Sequence, residues 1–406
     1  MPRHSKHGGS DDVDLFAAAP LPVARLNDAE RLACLRLIRS ENVGPVTFRA
    51  LINQFGGAAK ALEALPEIAR RAGRQRPIRI WPARDAEAEL AAARRHGMQA
   101  LFTIEPGYPA ALAAADVPPP MLYVKGDVAL LNRPAVAIVG SRQASAAGVT
   151  LTRQIASGLG RGGFVVASGL ARGIDAAAHE ATLATGTIAV LAGGLDVIYP
   201  PEHECLHAEI ASSGCLVSEL PPGFVPRAKD FPRRNRIISG ISLGVLVIEA
   251  ARRSGSLTTA RMAGEQGREV LAVPGHPLDP RAEGTNDLLR NGATFVTSAE
   301  DVVAALSPML GAPGTLTATD ERAALVVERH QPPPTPPRVM ADPLAGLASD
   351  DERARVLAAL GPAPVAVDAL ARATGLSARA VQAALLELTI SGAVEHHGSQ
   401  LVSRRG

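Results

Sequence analysis

The chain has 406 residues, with 42 Lys and Arg against 40 Asp and Glu, for a formal charge of +2. So small a net charge sets up no long-range field for a polyanion, so any anion-binding surface has to be built locally. Only Lys6, Lys60, Lys125 and Lys229 are lysines and none precedes Ser or Thr, which excludes a nucleotide P-loop, and three Cys (34, 205, 215) exclude a four-cysteine zinc site or a multi-disulfide scaffold.

Taken in chain order, residues 1–27 are polar, charged and Pro-bearing and read as a disordered tail. Its apolar stretch Leu15–Ala24 is parted from the basic start by Asp11, Asp12 and Asp14, which argues against a secretory signal. Residues 28–99 read as a helical domain. Asp28 is the expected N-cap of a helix through Ser40, Gly44-Pro45 breaks the chain, and a second helix runs to Phe55 before Gly56-Gly57. Two short helices around a Gly turn form a helix-hairpin-helix, whose backbone N–H groups can meet DNA phosphates. The same residues also read as a plain packing domain.

From residue 100 to 306 the texture changes. Apolar runs of strand length recur at Ala135–Val139, Phe164–Ala167, Thr187–Leu191, Leu216–Ser218, Val245–Ile248, Val270–Val273 and Thr294–Val296, with helix-length segments between most of them. Continuous apolar runs alternating with helices predict an α/β domain with a doubly wound, Rossmann-like parallel sheet. Residues 307–349 are a Pro-rich linker. The longest uncharged stretch, Val302–Thr319, is broken by two Pro and two Gly and is no membrane span. Residues 350–406 order as three helices and a β-wing around Gly398, which is a winged helix. Its expected recognition helix, Ser377–Ile390, carries Arg379 as its one basic residue, leaving DNA contact and protein docking both open.

Three motif matches fail on context. Gly158-x-Gly160-x-x-Gly163 follows a helix and precedes a strand, the reverse of the dinucleotide fingerprint. Gly240-x-Ser242-x-Gly244 leads into a strand, whereas a nucleophile elbow leaves one. His203-Glu204-x-x-His207 has the zinc-hydrolase spacing, but it falls where a helix is only starting and lacks a supported third ligand, Glu219 being merely near in sequence. No catalytic or metal-binding residue is therefore assigned.

The residues that carry a function lie where strands end. Gly140-Ser141-Arg142 closes the first parallel strand, the edge at which such sheets bind ligands, and offers a hydroxyl, a guanidinium and free N–H groups of the next helix. No acid ends the second strand to hold a ribose. The following loop, Ser168-Gly-Leu-Ala-Arg172-Gly173, is again Gly-rich with an Arg, and Asp175 reads as a helix N-cap. Between the fourth and fifth strands, Arg227-Ala-Lys229-Asp-Phe231-Pro-Arg233-Arg234-Asn235-Arg236 gathers five cations around one ring. Glu249, Arg252 and Arg253 follow the fifth strand. Several basic loops on one edge suit an extended polyphosphate, of which single-stranded nucleic acid is the commonest. Aromatic residues are few (1 Trp, 3 Tyr, 8 Phe), so stacking would be confined to particular rings.

These motifs, with Tyr199-Pro200, Ser218-Glu219, Ser254-Gly-Ser-Leu-Thr258, Val273-Pro-Gly275 and Gly284-Thr-Asn286, resemble the DNA processing protein A family, also called DprA or Smf. The resemblance is densest over 133–306. It implies a helical N-terminal domain, a Rossmann-like core and a winged helix. It further implies binding of single-stranded DNA in natural transformation, and with the few cysteines, which suit a reducing setting, the expectation is a cytoplasmic, non-enzymatic protein without cofactor. Such proteins dimerise through the core and load a RecA-type recombinase past single-strand-binding protein. The family's phosphate pocket would fall on Ser141, Arg142, Lys229, Phe231, Arg233, Asn235 and Arg236, with Arg172 and Gly173 beside it, and Gly140 and Arg234 of the same loop and patch complete the expected DNA-binding set. The rival readings are a nucleotide-binding enzyme or sensor using the same edge, a zinc hydrolase, and an interaction scaffold.

Overall fold

The computed structural model describes residues 26–310 and 347–405. The expected tail lies outside the described residues but for its last two positions, as does most of the expected linker. Four helices open the described chain: α1 (Asp28–Arg39), α2 (Pro45–Phe55), α3 (Ala58–Arg71) and α4 (Ala83–Arg95). The N-cap of α1 is Asn27 rather than Asp28: the Asn27 side chain accepts the Glu30 N–H at 2.8 Å, which leaves Asp28 in the first turn, where its charge suits the helix dipole.

A nine-stranded sheet follows, in the order β1-β2-β6-β5-β4-β3-β7-β8-β9. Its parallel strands are β3 (Ala135–Val139), β4 (Val165–Ser168), β5 (Thr187–Val190), β6 (Cys215–Ser218), β7 (Gly244–Val247), β8 (Glu269–Ala272) and β9 (Thr294–Phe295). The apolar runs are continuous because both faces are covered. Val136, Ile138 and Val166 pack with Ile155 and Leu159 of α6 (Ala146–Arg161) and Val302 and Leu306 of α12 (Ala299–Leu306). Their neighbours Ala137, Val139 and Val165 face Ile237 and Ile238 of α9 (Asp230–Gly240) and Ala260 and Ala263 of α10 (Gly255–Glu265).

Two strands had no counterpart in the sequence reading. β1 (Gln99–Phe102) and β2 (Met121–Gly126) pair antiparallel, and β2 continues antiparallel onto β6. They widen the sheet beneath α8 (Glu204–Ser213), where Met121, Tyr123 and Leu216 share a core with Leu206 and Ile210 and with the N-terminal helices. The remaining short helices are α5 (Ala110–Ala113), α7 (Ile174–Glu180) and α11 (Glu283–Arg290).

The last unit is a winged helix: α13 (Asp350–Ala358), β10 (Val365–Ala366), α14 (Val367–Thr374), α15 (Ala378–Ser391), β11 (Val394–His397) and β12 (Leu401–Arg404). No helix among the described residues is long and apolar enough to cross a membrane.

Strand order fixes where a ligand would sit. The chain winds from β3 through β4 and β5 to β6, then crosses back over β3 to β7. Connections leave β3 and its neighbour β7 in opposite directions, and the crevice beyond their carboxyl ends is the switch point of the sheet.

Candidate nucleic-acid interface

Gly140-Ser141-Arg142 lies at that switch point, directly after β3. Two glycines let the backbone crowd there. A Cβ on Gly140 would meet Ile174 Cγ1 at 2.6 Å. Gly173, at φ +75°, has no room for one against the Ser141 carbonyl. The loop 168–173 is thereby pressed against the Ser141 turn.

Arg142 is exposed, makes no ion pair among the described residues, and lies over the face of Phe231 with Cζ 5.6 Å from the ring centroid. Phe231 in turn packs on Tyr199, centroids 5.4 Å apart and planes inclined by 55°. Tyr199 is 49 % exposed, so a ring surface stands open to solvent beside the guanidinium. The sequence reading had placed one stacking ring here; the second comes from the loop after β5, and its signal was the Tyr-Pro step at 199–200.

The basic run 227–236 is not a loop throughout. From Asp230 it is helix α9, with Pro232 tolerated in the first turn, and successive residues turn by about 100°. The arginines therefore part. Arg234 faces inward and is buried, donating from Nη1 to the carbonyls of Gly169 (2.7 Å) and Val190. Burial pulls its pKa down to about 10, against the opposing pull of Asp175. Arg233 and Arg236, three residues apart on another face, both grip Glu219, Arg233 Nε at 2.6 Å. Arg236 also donates to the Val117 carbonyl at 2.7 Å. Asn235 donates to the Gly255 carbonyl at 3.4 Å and accepts from Arg234 Nε at 3.2 Å. Arg172 is exposed but paired with Glu202, whose carboxyl it holds down at about 2.

That leaves Arg142, Arg227, Lys229, Arg252 and Arg253 as exposed cations of this edge without an ion pair among the described residues. Glu249, which follows the same strand as Arg252 and Arg253, makes no ion pair with either among the described residues. Glu249 has another role: its carboxylate accepts from the Ser145 N–H at 3.0 Å and the Ser145 hydroxyl at 2.5 Å. Ser145 is the N-cap of α6, so the helix end expected to offer free N–H groups already holds an anion.

Asp175 is likewise not an N-cap; Gly173 has that place, and the buried Asp175 carboxylate accepts from the N–H groups of Gly169 (3.2 Å) and Ala171 (3.4 Å). Burial raises its pKa, while Arg234 pulls the other way. His179 accepts the Leu170 N–H at Nε2 (3.3 Å), so its proton sits on Nδ1, facing the Thr187 hydroxyl at 2.7 Å. Burial drops its pKa to about 3. His203 holds the Leu170 carbonyl through Nδ1 at 3.0 Å. The loop is thus fixed from four sides by Asp175, His179, His203 and Arg234.

The three motif matches fall as their contexts required. Gly158–Gly163 closes α6, Ser242 is buried between α9 and β7, and His203 stands before α8 rather than within it. No group of three or more metal-ligating side chains is gathered among the described residues.

Comparison with known proteins decides the family. A model of DNA recombination-mediator protein A matches residues 99–307. The chain belongs to that family. Models of the DprA-like N-terminal HHH domain and of the DprA winged helix domain match residues 28–92 and 331–400. Protein Smf of Synechocystis is 37 % identical over 319 residues, which are 76 % of this chain and 80 % of that one. DNA processing protein DprA of Bacillus subtilis is 44 % identical over 216 residues, 52 % of this chain and 73 % of its own. The crystal structure of DNA processing protein A from Streptococcus pneumoniae superposes with a TM-score of 0.59 at 34 % identity, covering 69 % of this chain and 98 % of that one.

Proposed function

We propose that this chain is a recombination mediator that binds single-stranded DNA without catalysis, along the sheet edge between β3 and β7. The observation that carries the reading is Arg142 at the switch point, lying over Phe231, which packs on Tyr199, with further exposed cations on the same edge and none of them in an ion pair among the described residues. Arg142, Lys229, Arg227, Arg252 and Arg253 take successive phosphates, and Phe231 with Tyr199 receives a base or sugar. Gly140, Ser141 and Gly173 shape the floor. Arg172, Arg233 and Arg236 stand beside that path, each held back from phosphate by its carboxylate partner, while Asn235 and the buried Arg234 position the helix and the loop.

The rival, a nucleotide enzyme or sensor, is disfavoured by Glu249. Its carboxylate stands at the α6 N-terminus, where a Rossmann-type pyrophosphate would rest. Membership in a family of recombination mediators supports a role in protecting incoming DNA and loading a RecA-type recombinase during transformation. On the same reading the protein works as a cytoplasmic homodimer joined through the Rossmann-like domain, with single-strand-binding protein as a further partner.

Fluorescence anisotropy of labelled oligo-dT and of a blunt duplex, with and without excess mononucleotide, tests the proposal. Tighter binding of the single strand, undisturbed by the mononucleotide, is expected. Saturable mononucleotide binding that displaces the DNA would establish the rival.

A further inference from the structure

Helix α15 occupies the position at which a winged helix reads DNA, yet it has two apolar faces. Val381, Ala384, Leu385 and Leu388 fill the core of the winged helix with Val356, Leu370, Val394 and Val402. Leu386 and Ile390, one turn apart on the other side, belong to the core of the N-terminal helices, with Leu65, Ile68 and Ala69 of α3. A surface helix needs one apolar face, and a second one marks a helix covered from both sides.

Polar contacts frame the apolar ones. Asn42 donates to the Ile390 carbonyl at 3.1 Å, and Arg71 donates to the Ala348 carbonyl at 3.3 Å. Glu387, in the middle of α15, is fully buried. It accepts from Ala348 N at 2.6 Å and Arg353 Nη1 at 2.7 Å. The wing is held too, since Ser399 N donates to Asp116 at 3.2 Å. Between wing and helical domain lies a cleft of about 370 Å³, lined by Gly44 and the first turn of α2 (Pro45, Thr47) and by His396, Gly398 and Arg405. The residues of α15 left exposed are Ala378, Arg379 and Gln382.

We propose that the partner of this recognition helix is protein, namely the α2–α3 face of the chain's own N-terminal domain, and that the winged helix is clamped there with α15 closed to DNA. The hairpin turn before α2, the other element with a DNA-facing precedent, is turned toward the wing by the same contact. DNA binding is left to the sheet edge.

The test uses the full chain carrying Asp116→Cys and Ser399→Cys in a Cys205→Ser background, since the side chains of 116 and 399 are in contact. On oxidation, a cross-link within one chain is expected on non-reducing gels, with oligo-dT affinity unchanged within about twofold, below the tenfold that 1.4 kcal/mol represents. No cross-link in a protein that melts like wild type, or cross-links only between chains, would overturn the cis assignment. A tenfold affinity loss on oxidation, regained with reductant, would show that α15 must open to DNA. Arg379→Ala with Gln382→Ala gives an independent reading: both residues are exposed, and a tenfold loss of DNA affinity would equally overturn the proposal. If the chain binds no DNA at all, the reading of the sheet edge fails, while the cross-link still decides the clamp.

Discussion

The carboxylate of Glu249, two residues past β7, lies at the N-terminus of α6 and holds both the N–H and the hydroxyl of Ser145. A fold that elsewhere places a ligand phosphate on this helix end here fills it from within. Gly148 makes room for it: a Cβ there would stand 2.6 Å from the carboxyl carbon.

Glu249→Ala is therefore expected to cost about 2 kcal/mol of folding stability through the lost hydrogen bonds to Ser145 and the lost helix-dipole contact. Gly148→Ala should cost about 1–3 kcal/mol in wild type by overpacking. In the Glu249→Ala background the same change should be neutral or gain up to ~1 kcal/mol of helix propensity. Urea melts of the four proteins check this non-additivity.

Arg234 and Arg142 separate stability from binding. Arg234→Ala leaves the Asp175 carboxylate buried without its cation and strips two carbonyls, so a loss of about 3–5 kcal/mol is expected. Arg142→Ala, exposed and held only by a ring, should melt within ~0.5 kcal/mol of wild type. Thermal unfolding of both variants is the measurement; equal losses would mean that Arg142 is structural.

Glu219 holds both Arg233 and Arg236, and on the proposed reading it competes with DNA for them. Glu219→Gln should strengthen oligo-dT binding at low salt and steepen the salt slope by about 1.4, roughly 0.7 for each arginine released. A salt titration of the variant against wild type reads this, and an unchanged slope would place both arginines outside the DNA path.

His179 carries a pH dependence. Its folded pKa of about 3 lies below its ordinary value of 6.5, so between the two the unfolded chain binds the extra proton. Stability contributed by neutral His179 is complete above pH 6.5 and drains as pH falls toward 3. From pH 6.5 to 5 the loss is about 2 kcal/mol for this group. Burial lowers His207 and His396 as well, which adds in the same direction. Comparing wild type with His179→Gln at pH 7.5 and 5.0 isolates the term: the stability gap between them should shrink on acidification.

The sheet was legible because strands buried on both faces are apolar without interruption, and Ala135–Val139 shows this over its whole length. The edge was legible because Gly140-Ser141-Arg142 ends such a strand. What the sequence hid depends on distance along the chain or on helical rotation. Ser145 and Glu249 are 104 residues apart, and nothing local marks their contact. Arg233, Arg234 and Arg236 read as one patch until α9 distributes them over different faces, one of them inward. The β1–β2 pair escaped because its place in the sheet is set by antiparallel pairing with the distant β6. Leu386 and Ile390 pack against the helices of another domain, a contact that nothing local in the sequence marks.

The central claim rests on Arg142 and its unpaired neighbours, and a salt series of oligo-dT anisotropy with wild type and Arg142→Ala tests it most directly. Five phosphates neutralised give a slope near −3.5, so raising salt from roughly 50 to 200 mM should weaken wild-type binding about 100-fold. Arg142→Ala should bind every sequence more weakly and lower the slope by about 0.7. Salt-insensitive affinity, or binding indifferent to Arg142, would contradict the account.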